Sequence, residues 1–128
     1  MWNTQMNDTY GHLAGDDCLR KIAAVLRDKT ERIGSAYRFG GDEFVILVKN
    51  ANKEQILQMA TGIKQSICEL HIENINSKVL SEITISQGYC CFIPEKEVDL
   101  SYMMSMADKA LYKVKENGRN GFEIMETV

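Results

Sequence analysis

Proline is nearly missing from this chain: Pro94 is the only one in 128 residues. No Pro-rich spacer, repeat or low-complexity stretch divides the sequence, and its length fits one domain, 1–128, with no room for two. Long apolar runs are missing too. None approaches the roughly 18 residues of a membrane span, and no charged-then-apolar signal segment opens the chain. There is no basic excess either: 15 Lys and Arg face 18 Asp and Glu, a formal charge of −3, which argues against nonspecific nucleic-acid binding. The four cysteines, Cys18, Cys68, Cys90 and Cys91, lack zinc-site spacing and the density of a small secreted scaffold. Cys90 and Cys91 are neighbours on an expected strand, so their side chains point to opposite faces and cannot easily share a metal. Reduced, structural thiols in a cytoplasmic protein are expected. What remains, 45% apolar and 26% charged residues, is the composition of an ordinary globular protein.

The pattern of apolar residues gives the elements. After the turn-rich Asn7-Asp8-Thr9-Tyr10-Gly11-His12, a helix carries Leu19, Ile22, Ala23 and Leu26 on one stripe, with Asp16 or Asp17 placed to cap its first turn. Two strands meet at Gly40-Gly41, a pair suited to a tight hairpin, and the second strand runs from Glu43 to Val48. Its apolar residues fall on both faces, which predicts burial on both sides. A second helix presents Ile56, Met59, Ala60, Ile63 and Ile67; a strand covers roughly Glu82 to Phe92. The last helix presents Leu100, Met103, Ala107, Ala110, Leu111 and Val114 and stops at Asn117-Gly118, before a closing strand from Phe122 to Met125. This order predicts an α+β fold, a mostly antiparallel central sheet with packed helices.

Chemistry concentrates at the hairpin. Asp42 and Glu43, after two glycines, stand at the rim of a rigid sheet, where paired carboxylates hold a divalent cation; a solvated turn with incidental charge is the other reading. Taken singly, Asp16 reads as a helix cap, Asn7 as a turn residue, and Lys115 and Arg119 as cations complementing a helix C-terminus. Arg38 reads as the partner of a nearby carboxylate, Met103, Met104 and Met106 as packing, His12 as a structural turn residue, and His71 as a surface residue without a partner.

Four segments together resemble one family. Asn7 to Asp16 looks like N-D-x-Y-G-H-x-x-G-D, and Arg38-Phe39-Gly40-Gly41-Asp42-Glu43-Phe44 looks like the signature hairpin of GGDEF domains. Thr84-Ile85-Ser86-Gln87-Gly88 looks like T-x-S-x-G, and Ala107 to Asn120 looks like A-D-x-A-L-Y-x-x-K-x-x-G-R-N. The chain thus resembles a diguanylate cyclase from Asn7 onward. The resemblance implies a nucleotide-cyclase-like, ferredoxin-like palm and the condensation of two GTP into cyclic di-GMP across a homodimer, with Mg²⁺ or Mn²⁺. The ribose 3′-hydroxyl of one GTP attacks the α-phosphorus of the other while metal ions stabilise the attacking and leaving oxygens. It further implies Asp42 as metal ligand, Glu43 as metal ligand or proton acceptor, Asn7 and Asp16 on the guanine edge, and Lys115 and Arg119 on the phosphates from nearly one helix face. A sensory or effector domain in a longer parent protein is a further implied partner.

Three departures qualify this. The family's D-x-D-x-F-K strand precedes the first segment; its F-K positions fall on Asn3 and Thr4, and its first, metal-binding aspartate just before Met1. The expectation is an N-terminally truncated domain with weak turnover, and the alternative function is a degenerate GGDEF module that binds GTP or a protein partner and acts in regulation. The product-inhibition motif R-x-x-D reads Glu31-Arg32-Ile33-Gly34, so feedback through it is expected to be missing. Gln87 stands where the family usually has an aliphatic residue.

Overall fold

A computed structural model of the chain describes residues 11–74, 82–91 and 99–126. They fall into two compact units, one ending at Ile83 and one starting at Thr84.

The first unit opens with α1 (His12–Thr30). Its capping position is Gly11, which offers no side-chain hydrogen bond, and no acidic residue lies in the first turn. Asp16 and Asp17 therefore sit one turn inside the helix and do not cap it, contrary to the sequence expectation. Leu19, Ile22 and Leu26 are buried, as the stripe predicts, while Ala23 is half-buried; Cys18, outside that stripe, is buried as well. At the far end, the Thr30 hydroxyl donates to the Leu26 carbonyl at 2.8 Å.

β1 (Gly34–Gly40) and β2 (Glu43–Val48) form the expected antiparallel hairpin, with Ala36 opposite Ile46 and Arg38 opposite Phe44. The ladder is irregular between Arg38 and Gly40. β1 packs on α1, so one face of the hairpin is covered within this unit. β2 is not buried on both sides as its pattern suggested: Leu47 is exposed and the other apolar residues are half-buried.

Asn52 opens α2 (Lys53–Glu69) with a reciprocal cap. Its side-chain oxygen accepts from the Gln55 amide at 2.8 Å, and the Gln55 side chain accepts from the Asn52 amide at 2.9 Å. Ile56, Met59, Ala60, Ile63 and Ile67 are all buried, as predicted, and α2 packs on α1. Ile22, Ile63, Ile67 and Ile83 are fully buried side chains, each worth about 1.5–3 kcal/mol of transfer free energy. Beyond α2, His71 is not partnerless. Its Nδ1 lies 3.1 Å from both carboxylate oxygens of Glu82, beside the isolated bridge between Glu73 and Glu82.

In the second unit, β3 (Gln87–Cys91) leads through α3 (Leu100–Glu116) to β4 (Phe122–Glu126). β3 is shorter than the predicted strand and pairs with β4 in parallel, from Gln87 opposite Phe122 to Cys91 opposite Glu126. The described strands thus form one antiparallel and one parallel pair, rather than a mostly antiparallel sheet. The parallel pairing follows from the connection, because a helical crossover returns the chain to the end where the first strand began. The Asp99 carboxylate accepts from the Ser101 amide at 3.1 Å to start α3, and Ala110 and Val114 are its buried residues. Leu100, expected in that stripe, is exposed. Gln87 is buried and accepts a hydrogen bond from the Tyr89 hydroxyl, which gives this polar residue a place inside the unit. Burial raises the Tyr89 phenol well above its ordinary pKa.

Candidate functional site

The hairpin turn depends on backbone conformations that side chains disfavour. Gly41 adopts φ 54, the left-handed region, which glycine enters without a Cβ penalty. The turn delivers Asp42, half-buried, and Glu43, exposed, at the head of β2. Neither carboxylate has a hydrogen-bond or ion-pair partner among the described residues. Among the described residues Arg38 reaches no carboxylate: its Nε and Nη2 groups donate to the Gly41 carbonyl oxygen at 3.0 and 2.8 Å.

Behind the turn, α1 and the hairpin enclose an open cleft of about 430 Å³. Asp16, Arg20, Ala23 and Arg27 line it from one face of α1, and Ala36, Arg38 and Phe44 from the hairpin. Three guanidinium groups against one carboxylate make this cleft electropositive, which suits an anionic ligand. Asp17 turns aside to Lys21, with which it pairs at 3.0 Å. Cys18, on the buried side of α1, is no nucleophile: burial, with the nearby Asp17 carboxylate, pushes its thiol up to about 11.

The structure thus brings Asp16 to the cleft and Asp42 with Glu43 to the adjoining turn, all within the first unit. Asn7 lies outside the described residues. Lys115 and Arg119 belong to the second unit. Lys115 is exposed on the last turn of α3, but Arg119 is not on that helix. The helix ends at Glu116 with Asn117 as its cap, Gly118 and Arg119 take positive φ, and the Arg119 amide donates to the Val114 carbonyl at 2.9 Å. The two cations therefore do not share a helix face, as their spacing had suggested. Sequence reasoning missed the cleft cations Arg20 and Arg27. Their spacing from Asp16, one turn and then two further turns along α1, was the available signal.

The donor set fits a hard divalent cation. Asp42 and Glu43 offer oxygen ligands, and Mg²⁺ is commonly bound by one or two carboxylates that leave room for substrate phosphates. Among the described residues no group of three or more His, Cys, Asp or Glu gathers to enclose a cation alone. No helix among them is long and apolar enough to cross a membrane.

Residues 4–121 match the family described as diguanylate cyclase, GGDEF domain. Diguanylate cyclase DgcZ of Escherichia coli is 37% identical over 115 residues, 90% of this chain and 38% of that protein. Diguanylate cyclase A of Treponema denticola is 36% identical over 115 residues, 90% of this chain and 30% of that protein. The chain thus spans less than two fifths of these curated relatives. Among solved structures, the active GGEEF domain of a diguanylate cyclase from Vibrio cholerae superposes with a TM-score of 0.80 at 28% identity, covering 98% of this chain and 78% of that one. The GGDEF domain of DgcB from Caulobacter crescentus, solved in complex with c-di-GMP, gives 0.76 at 28% identity, covering 95% of this chain and 71% of that one.

Proposed function

This chain belongs to the GGDEF family, and from that premise we propose that it is a GTP-binding domain of diguanylate cyclase type, which condenses GTP into cyclic di-GMP as a homodimer. The observation that carries the reading is the electropositive cleft with Asp16 in its wall, next to a turn that presents two carboxylates with no partner among the described residues. Because the family match runs through both units, 1–128 is read as one GGDEF domain.

The roles follow from chemistry. The Asp16 carboxylate accepts hydrogen bonds from guanine N1–H and N2–H₂, with Asn7 as its companion on the same edge. Asp42 and Glu43 would hold Mg²⁺ or Mn²⁺, which when bound offsets phosphate charge and lowers the pKa of a coordinated hydroxyl. Glu43, exposed at the rim, would also take the proton from the attacking hydroxyl. Lys115 and Arg119 supply positive charge for the phosphates. Such a domain works in the cytoplasm, where its GTP is, under a sensory or effector domain of a longer protein; the lengths of its relatives support that arrangement.

Titration with GTP and ATP tests the reading. Adenine lacks the N2 amine and presents a donor where guanine has an acceptor. Each buried polar group left unpaired costs about 1–3 kcal/mol, so a preference for GTP of roughly tenfold or more is expected. Equal affinity for both nucleotides, or none for either, would overturn it. Turnover is measured with Mg²⁺ or Mn²⁺ on the chain as given and on a form preceded by a D-x-D-x-F-K strand. Formation of cyclic di-GMP by the extended form supports the cyclase reading, and its absence there would overturn it.

A further inference from the structure

We infer that Arg38 is a positioning residue for Asp42 and Glu43, a role that rests on reading the hairpin as a divalent-cation site. Two donors of one planar guanidinium, Nε and Nη2, converge on the Gly41 carbonyl oxygen at 3.0 and 2.8 Å. A rigid fork of this kind fixes the direction of its acceptor as well as its distance, which a single flexible donor cannot do. The acceptor belongs to the peptide unit that joins Gly41 to Asp42, so the clamp acts directly on the backbone that aims the first carboxylate. The turn needs such a restraint. Gly41, at φ 54, has more backbone freedom than any other residue type, and the ladder is irregular between Arg38 and Gly40. Two neighbouring carboxylates also repel each other, which favours a splayed turn. The same guanidinium lines the cleft beside Asp16, so the element that aims the carboxylates also faces the nucleotide pocket.

The sign of one substitution separates positioning from charge. A cation close to a metal site repels the metal, so its removal by itself tightens cation binding. Loss of a positioning clamp weakens it. Arg38→Lys keeps the charge and loses the fork; a pure charge role leaves that variant like the parent, whereas positioning makes it resemble Arg38→Ala.

The experiment titrates Mn²⁺ into the 128-residue chain by electron paramagnetic resonance, with Lys49→Ala as an exposed charge control. Both Arg38 variants should weaken Mn²⁺ binding about tenfold, the scale of one charge-assisted hydrogen bond, and Lys49→Ala should not. Equal or tighter binding by Arg38→Ala, or parental binding by Arg38→Lys, would overturn the inference. In parallel, ¹⁵N relaxation of the metal-free chain reads the order of the 41–43 amides. They should loosen in both Arg38 variants, and unchanged order would overturn the clamp by itself. Absence of Mn²⁺ binding by the parent chain would instead count against the functional reading, while the relaxation data still decide on Arg38.

Discussion

A Cβ on Gly34 would stand 1.9 Å from the carbonyl oxygen of Leu47, on the strand that pairs with it. Backbone contact, and not only the loss of a charge, therefore excludes an aspartate from the last position of the family's product-inhibition motif. Calorimetry with cyclic di-GMP should find no tight site on this surface. Gly34→Asp should not create one and should cost at least about 1–3 kcal/mol of stability, because strand backbone cannot move aside as a side chain can. A tight site that vanishes when Glu31 or Arg32 is replaced would contradict this.

Asp16 lies inside α1 and caps nothing, so its proposed ligand role and any helix-capping role come apart. Asp16→Ala should abolish the preference for GTP over ATP and leave unfolding free energy within about 0.5 kcal/mol of the parent. Chemical denaturation beside nucleotide titration reads both. A loss of about 1 kcal/mol would mark it as a helix-start residue after all.

Asn52 carries the opposite balance. Its reciprocal bonds with Gln55 stabilise the start of α2, and neither residue is among those that line the cleft. Asn52→Ala should lower stability by about 1 kcal/mol with nucleotide affinity unchanged.

The thiols should differ in reactivity. Cys68 is exposed and Cys18 is buried with its pKa raised to about 11 from 9.0. Alkylation of the native chain at pH 8 should therefore modify Cys68 and spare Cys18, and denaturant should expose the latter. The sign of the linkage is set by the raised value: the folded state holds the Cys18 proton more tightly. This contribution is complete below about pH 9 and is lost as pH rises through about 11. Stability against pH in that window checks it.

What the sequence revealed and what it hid divide along physical lines. The α1 and α2 stripes and the hairpin were legible because periodicity and a Gly-Gly pair are local signals. The start of α1 was not, since Gly11 occupies the capping position and leaves no side-chain signature, so the carboxylates further on attracted the role. His71 and Glu82 meet through chain reversal, which spacing alone does not reveal. The partner of Arg38 is a backbone carbonyl, and sequence displays charges but not carbonyl directions. The end of α3 at Asn117-Gly118 was legible from the glycine, but the four-residue spacing of Lys115 and Arg119 was read across that end, and positive φ at Gly118, Arg119 and Asn120 takes Arg119 off the helix axis.

The parallel pairing of β3 with β4 also dictates an order of events in time. The β1–β2 hairpin closes across a tight turn and can zip within microseconds. Gln87 meets Phe122 only after the chain has wound through α3, so this pairing bears the entropy of a much longer loop before any ladder bond rewards it. In pulsed hydrogen exchange during refolding, the amides of β1 and β2 should gain protection before those of β3 and β4. The carboxylate-bearing turn would then be assembled before the strand pair that follows it in the chain.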